Sequence, residues 1–367
     1  MIGILPTLES GDLQRSAMTD SARYRVLAAA LQRLHDEPSR LDIRGIDERL
    51  EERCDEVTFE GAATSLQLHL RVAPDDFDDL FNAVQLATAP ALAVGVNSPI
   101  FLGRRLWQET RVALFEQAVD APKAADELHA PAARVSFGDA WLEGGALELF
   151  RQAVTVHEPL IPIRADEDPL ACVEAGGLPR LEELRLHQGT VWTWNRPVYD
   201  PAAGGHLRIE MRALPAGPTA VDMAANAAFA IGLALALAKE RIATRLPFLA
   251  AQRNFYRAAK FGLEALLAWP DAGGDVLQLH ADELVTRLVP LARTGLHSVS
   301  VDADPLLDIV AARAASGRTG ARWQCDALAR LESREPRQAA LRMMLARYLE
   351  HARENRPVHE WPLPTLR

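Results

Sequence analysis

The sequence predicts an α+β fold, and three observations lead to it. Two short stretches, "TSLQLHLRV" (64–72) and "HLRIEMRAL" (206–214), alternate polar and apolar residues with a period of two, as half-buried strands do. Residues 218–352 carry apolar residues at helical spacing almost throughout. With 367 residues, 49% of them hydrophobic and 25% charged, the chain is long enough for one large domain or two and can bury a sizeable core.

Taken in order, "IGILPT" (2–7) reads as a short strand, and "SARYRVLAAALQRLHDE" (21–37) as a helix behind a Ser cap. The strand at 64–72 puts Ser65, Gln67, His69 and Arg71 on one face. "PDDFDDLFNAVQLATAPAL" (74–92) is a helix with Pro at its start and acids in its first turn, where the helix dipole favours them. "GVNSPIFLGRR" (95–105) reads as loop and "LWQETRVALFEQAV" (106–119) as helix, and residues 121–133 and 157–180 read as connections. "GTVWTWNRPVYDPAAGGHLRIEMRAL" (189–214) is a hairpin joined across its Pro/Gly-rich centre.

Helices then follow at 253–269, 281–296 and 304–316, with Pro290 expected to kink or divide the second, and 317–331 runs from a turn into a further helix. The tail "NRPVHEWPLPTLR" reads as extended surface chain. This gives a sheet-containing region over 1–245, a helical part of the same domain over 246–352 and an extended tail over 353–367.

Composition removes several classes of function. A net charge of −10 leaves no basic footprint for nucleic acid or anionic lipid. The most apolar segment, "MAANAAFAIGLALALA" (223–238), is only 16 residues long and rich in alanine. A membrane span needs about 20 strongly apolar residues, so a buried helix is expected. Cys54, Cys172 and Cys325 are odd in number and far apart, which suggests neither a disulfide framework nor a zinc site and fits a reducing cytoplasm.

The polar faces of the two strands carry the candidate chemistry. His206, Arg208, Glu210 and Arg212 share one side of the second strand, and no lysine appears in the row. An antiparallel sheet wetted on one side would also show such alternation. A hard divalent cation carrying phosphates needs carboxylate oxygens, sometimes an imidazole, and a guanidinium nearby to grip the phosphate. Alternate strand residues lie about 7 Å apart, so Glu210 can hold a metal while Arg212 reaches a phosphate oxygen and His69 completes the coordination. Glu60 is a candidate further acidic ligand. Gln67, Asn97, Arg111, Arg196 and Arg208 are candidates for substrate or nucleotide contact. Asn97 also suits a plain turn, and Arg111 also suits an ion pair with Glu109 or Glu116.

Several of these motifs, "ATSLQLHLRV", "VGVNSPIFLGRRLWQETRVALFEQAVD", "GTVWTWNRP", "HLRIEMRALPAGPT" and "SGRTGARWQ", resemble in this order the glutamate–cysteine ligase type 2 family of carboxylate–amine ligases, over roughly residues 1–331. That family is similar in its catalytic fold to glutamine synthetase, so the resemblance implies an antiparallel sheet funnel packed with helices and holding ATP, Mg2+ and glutamate. It implies that His69 and Glu210 bind magnesium and that Arg212 is catalytic, contacting the transferred phosphate. ATP would phosphorylate a glutamate-like carboxylate and an amine would attack the acyl phosphate. Small molecules are then the expected partners, with a homo-oligomer left open.

Members of the family open with a "G-x-E-x-E" strand and a further acidic stretch that supply most of the remaining magnesium ligands. None precedes Ile2, so the chain is expected to be an N-terminally truncated relative. A non-catalytic small-molecule-binding remnant is the alternative.

Overall fold

The computed structural model describes residues 1–34, 39–54, 58–120, 132–241, 243–271 and 273–365. Helix α1 (Ala22–Leu34) leads to a hairpin of β1 (Ser39–Arg44) and β2 (Arg49–Cys54), followed by the single turn α2 (Thr58–Gly61) and by β3 (Leu68–Val72). Residues 35–37 of the expected first helix lie outside the described residues. The β1–β2 hairpin escaped the sequence reading because both strands are heavily charged. Its polar side is laced by ion pairs such as Arg49 to Asp42 at 2.7 Å, while Leu41, Ile43 and Leu50 are buried beneath.

The opening segment is not a strand. Bends at Gly3 and Ile4 and a turn at Pro6 break it up, and all three residues are buried. A Cβ at Gly3 would lie 2.9 Å from that of Ser98, and the Gly3 carbonyl accepts from the Thr64 amide at 2.8 Å. The apolar run is thus satisfied by wedging Ile4 into a core rather than by joining a sheet.

Helix α3 (Phe77–Gly95) is apolar on nearly all sides and almost wholly buried. The expected loop after it contains a minimal hairpin, β4 (Ile100–Phe101) with β5 (Arg104–Arg105), before α4 (Thr110–Val119). Of the expected connection at 121–133, residues 121–131 lie outside the described residues. Helices α5 (Gly145–Val156), α6 (Pro169–Glu174) and α7 (Glu182–Gln188) then precede β6 (Asn195–Asp200) and β7 (His206–Met211). The predicted hairpin is present, with β6 running on through Asp200.

Helix α8 (Ala220–Glu240) contains the apolar segment expected to be buried. Thr219 caps it, its hydroxyl oxygen accepting from the Asp222 amide at 3.0 Å. By length and composition α8 could cross a membrane, but it is packed against α3, α10 (Ala281–His297) and α11 (Asp304–Ser316). Gly232 of α8 and Gly295 of α10 bring the two backbones together: a Cβ on Gly295 would lie 1.9 Å from the Gly232 carbonyl oxygen. Pro290 does not divide α10. The helix buries Leu284, Leu288, Ala292 and Leu296, and that packing offsets the hydrogen bond Pro290 cannot donate.

The helix expected over 253–269 is shorter. It spans α9 (Phe248–Phe261) and stops at Gly262, which takes φ +57°. Leu266–Pro270 then forms β8, paired antiparallel with β9 (Val276–His280). Helices α12 (Gly320–Glu332) and α13 (Arg337–Glu354) complete the fold. The tail differs from its expected surface course. Val358 and Trp361 are fully buried, the Trp361 ring lying against Trp323 at 5.2 Å and Tyr348 at 5.1 Å.

The architecture is α+β, with small antiparallel sheets set among helices. One apolar core runs from α3 through α8 and α9 to α10, joining residues from both the sheet-containing and the helical regions.

Candidate functional site

A three-stranded sheet of order β3-β7-β6 positions the site. Its inner face, with Ile209 and Met211, is buried in the core, so the alternate residues must form the opposite face. The register sets His69 opposite Glu210 and Glu210 opposite Arg196, one row across all three strands. The next row is Arg71, Arg208 and Val198. An imidazole, a carboxylate and guanidiniums from segments more than a hundred residues apart thereby meet.

Glu210 is 2% exposed and its carboxylate accepts from the Nε–H of Arg196. The Arg196 fork is fixed in turn, its Nη1 donating to the carbonyls of Gln188 at 3.1 Å and Val191 at 3.3 Å. Arg212, two residues beyond Glu210 on the same chain, keeps its Nε 3.6 Å from the other Glu210 oxygen, within reach of the charge but too far for a hydrogen bond. That Nε is buried without a hydrogen-bond partner. Phe115 lies under the guanidinium at 5.6 Å, and the Thr193 carbonyl accepts from Nη1 at 3.4 Å.

Burial, followed by the charge of Arg196, pulls Arg212 down to about 10, while Glu210 and Glu60 act in the opposite sense. It therefore stays charged at neutral pH. Glu60, on α2, is raised by burial against the pull of Arg212, so the two side chains feel one another. His69 stands exposed at the edge of the row. Partial burial lowers its pKa, opposed by Glu210 and aided by Arg208 and Arg196, which leaves the imidazole neutral with a lone pair to offer. Arg208 pairs with Asp200 at 3.1 Å, and its Nε is also buried without a partner. Arg196, Arg208 and Asp200 border a cleft of about 210 Å³. Gln67 is exposed just ahead of β3.

Two expected contacts are placed differently. Asn97 has no exposure. Its Nδ2 donates to the Ala216 carbonyl at 2.7 Å and to the Tyr348 hydroxyl at 2.9 Å, and its Oδ1 accepts from Gln324 at 3.0 Å. Arg111, 3% exposed, donates from Nε to Glu109 at 2.9 Å and from Nη2 to the Ala213 carbonyl at 2.6 Å. Both are committed to the protein's own bonding beneath the site, since α12 and α13 pack over the segment that looked like an open loop. Glu116 is the acid that sequence reasoning passed over as a site residue. It is partly buried, its Oε1 accepting from Trp194 Nε1 and the Tyr256 hydroxyl, partners that no local pattern in the sequence identifies.

His69, Glu210 and Glu60 do not bring three ligand atoms within 4.8 Å of one another. Among the described residues His297, Asp302 and Asp304 do so, but there Asp304 is already paired with Arg293 and His297. The sheet-face donors nonetheless suit magnesium, which is typically held by one or two carboxylates and completes its shell with water and substrate phosphates.

The fold and this face define an α+β protein whose three-stranded sheet gathers Arg196, Arg208 and Arg212 around the buried carboxylate of Glu210 and its neighbours. The chain matches the family model of glutamate–cysteine ligase family 2 over residues 2–351 and belongs to that family. Membership gives it a carboxylate–amine ligase kind of function. No curated protein matches it.

Proposed function

We propose that the chain joins a glutamate-like carboxylate to an amine at the expense of ATP, through an acyl phosphate. The observation that carries this is Arg212, a buried guanidinium with an unanswered Nε–H, held beside Glu210. A buried donor without a partner is costly, and a transferring phosphoryl oxygen is the anion whose charge and geometry suit it.

Glu210, His69 and Glu60 would hold Mg2+, which when bound neutralises phosphate charge. The protein's own groups do the rest. Arg196 fixes the orientation of the Glu210 carboxylate. Phe115 and the Thr193 carbonyl hold the Arg212 plane. Arg212 keeps its charge throughout and stabilises the oxygens on which charge moves. Arg208 and Gln67 would contact substrate at the margin of the same face.

The carboxylate oxygen attacks the terminal phosphorus as the bond to ADP breaks. The amine nitrogen then attacks the acyl carbon, phosphate leaves, and the nitrogen gives up a proton. The family assignment supports this over a non-catalytic remnant. A cytoplasmic location accompanies it, in keeping with free thiols at Cys172 and Cys325.

The test is to incubate the full chain with ATP, magnesium, oxygen-18-labelled glutamate and a panel of amines. Amide formation with one labelled oxygen appearing in phosphate is expected. Neither nucleotide binding by calorimetry nor amide with any amine, from a folded protein, would overturn the proposal.

A further inference from the structure

A cavity of about 1160 Å³ lies between α3, α4, α5, α9 and the chain around 132–143. His69, Glu210 and Arg212 are not among its lining residues. Its walls are partly aromatic, with Phe137, Trp141 and Phe248. Three of its amide and indole donors bond within the protein. Gln85 Nε2 donates to the Phe137 carbonyl at 2.7 Å, Gln252 Nε2 to the Gly138 carbonyl at 3.1 Å, and Trp141 Nε1 to the Leu246 carbonyl at 2.8 Å.

The acceptors are treated differently. Asn195 is 2% exposed and gives its Nδ2 to Gln85 and Thr88, an arrangement that fixes the orientation of its amide. Its Oδ1 is left buried with no partner, as is the Oε1 of Gln188, a residue 7% exposed. Both residues line the cavity. The cavity also holds the carboxyl of Glu116, which accepts from the Tyr256 hydroxyl at 2.9 Å and Trp194 Nε1 at 3.2 Å, both on Oε1. Burial, reinforced by Asp120, pushes that carboxyl up to about 7 despite the two donors.

Buried polar atoms in folded proteins are nearly always partnered. Among the described lining residues the buried polar atoms left without a partner are these two amide oxygens, and the charged group that bears on the Glu116 carboxyl, Asp120, is itself negative. We infer that this cavity binds a primary amine as its ammonium form, carried on an apolar, aryl-sized frame, with N–H donors that answer Glu116 and the amide oxygens of Asn195 and Gln188. The complementarity follows from charge and from donor count: an anion would meet Glu116, and a ligand without N–H or O–H groups would leave both amide oxygens unsatisfied. A cationic head over aromatic walls adds a further attraction. The cavity shares Gln188, Val191 and Thr193 with the supports of Arg196 and Arg212, but its ligand needs neither nucleotide nor metal.

The experiment is calorimetric titration of the full chain with tryptamine, with no nucleotide present. One molecule per chain is expected to bind. Binding should be at least tenfold weaker for the N,N,N-trimethylated analogue, which keeps the charge but loses the ammonium donors. It should also be at least tenfold weaker to Glu116→Gln, whose amide oxygen can still accept from Tyr256 and Trp194. Gln188→Met, which removes one orphaned acceptor, serves as the second variant and should weaken tryptamine severalfold with an unchanged near-ultraviolet circular dichroism spectrum. Absence of tryptamine binding, equal binding of the trimethylated analogue, or full affinity in both folded variants would each overturn the inference.

Discussion

Glu210 faces Arg196 directly across the β6–β7 pair, and the Arg196 Nε–H donates to the Glu210 carboxylate. The same carboxylate faces His69 on the other side. Glu210 is thus held in place by one neighbour and offered beside the other, so replacing its charge should disturb the site more than the fold. Glu210→Gln is expected to weaken magnesium-dependent binding of an ATP analogue at least tenfold while keeping a cooperative unfolding transition. Unchanged nucleotide affinity in a destabilised protein would make Glu210 structural.

Arg212→Lys is expected to lose at least a hundredfold in amide formation. An ammonium cannot reproduce the planar fork that spans Phe115, the Thr193 carbonyl and a phosphate oxygen. Steady-state rates against the unchanged chain decide this, and full activity would remove Arg212 from the mechanism.

Glu116 makes stability depend on pH. Its pKa rises from an ordinary 4.5 to about 7 on folding, so the folded chain binds this proton more tightly than the unfolded one. The stability so gained is complete below pH 4.5 and is lost as pH climbs to about 7, an amount of about 3 kcal/mol. Denaturant midpoints for the unchanged chain should therefore fall over that window. In Glu116→Gln the fall should be visibly shallower, and parallel curves would show that Glu116 does not set it.

The α8–α10 crossing depends on two glycines. Gly295→Ala puts a methyl group where the Gly232 carbonyl oxygen lies, and overpacking of this kind costs about 1–3 kcal/mol or more. Urea unfolding should show a lowered midpoint with an unchanged slope, whereas a midpoint within error of the original would mean that the helices can part at no cost.

By itself the sequence determined the α+β class, the burial of α8 and the polar faces of β3 and β7. Each depends on periodicity within a few residues, which composition carries openly. The ordered motifs likewise pointed to the family that the match over residues 2–351 shows. Only the tertiary structure decided what those faces meet. Register put His69, Glu210 and Arg196 in one row, and no local pattern specifies which strand lies beside which. Packing took Asn97 into a hydrogen bond with Tyr348, 251 residues away, buried Trp361 in the tail, and ended α9 at Gly262 so that β8 could pair with β9. It also left Arg212 Nε, Asn195 Oδ1 and Gln188 Oε1 unanswered. Whether a polar atom finds a partner depends on every segment folded around it, and that sum over distant contacts is set in three dimensions.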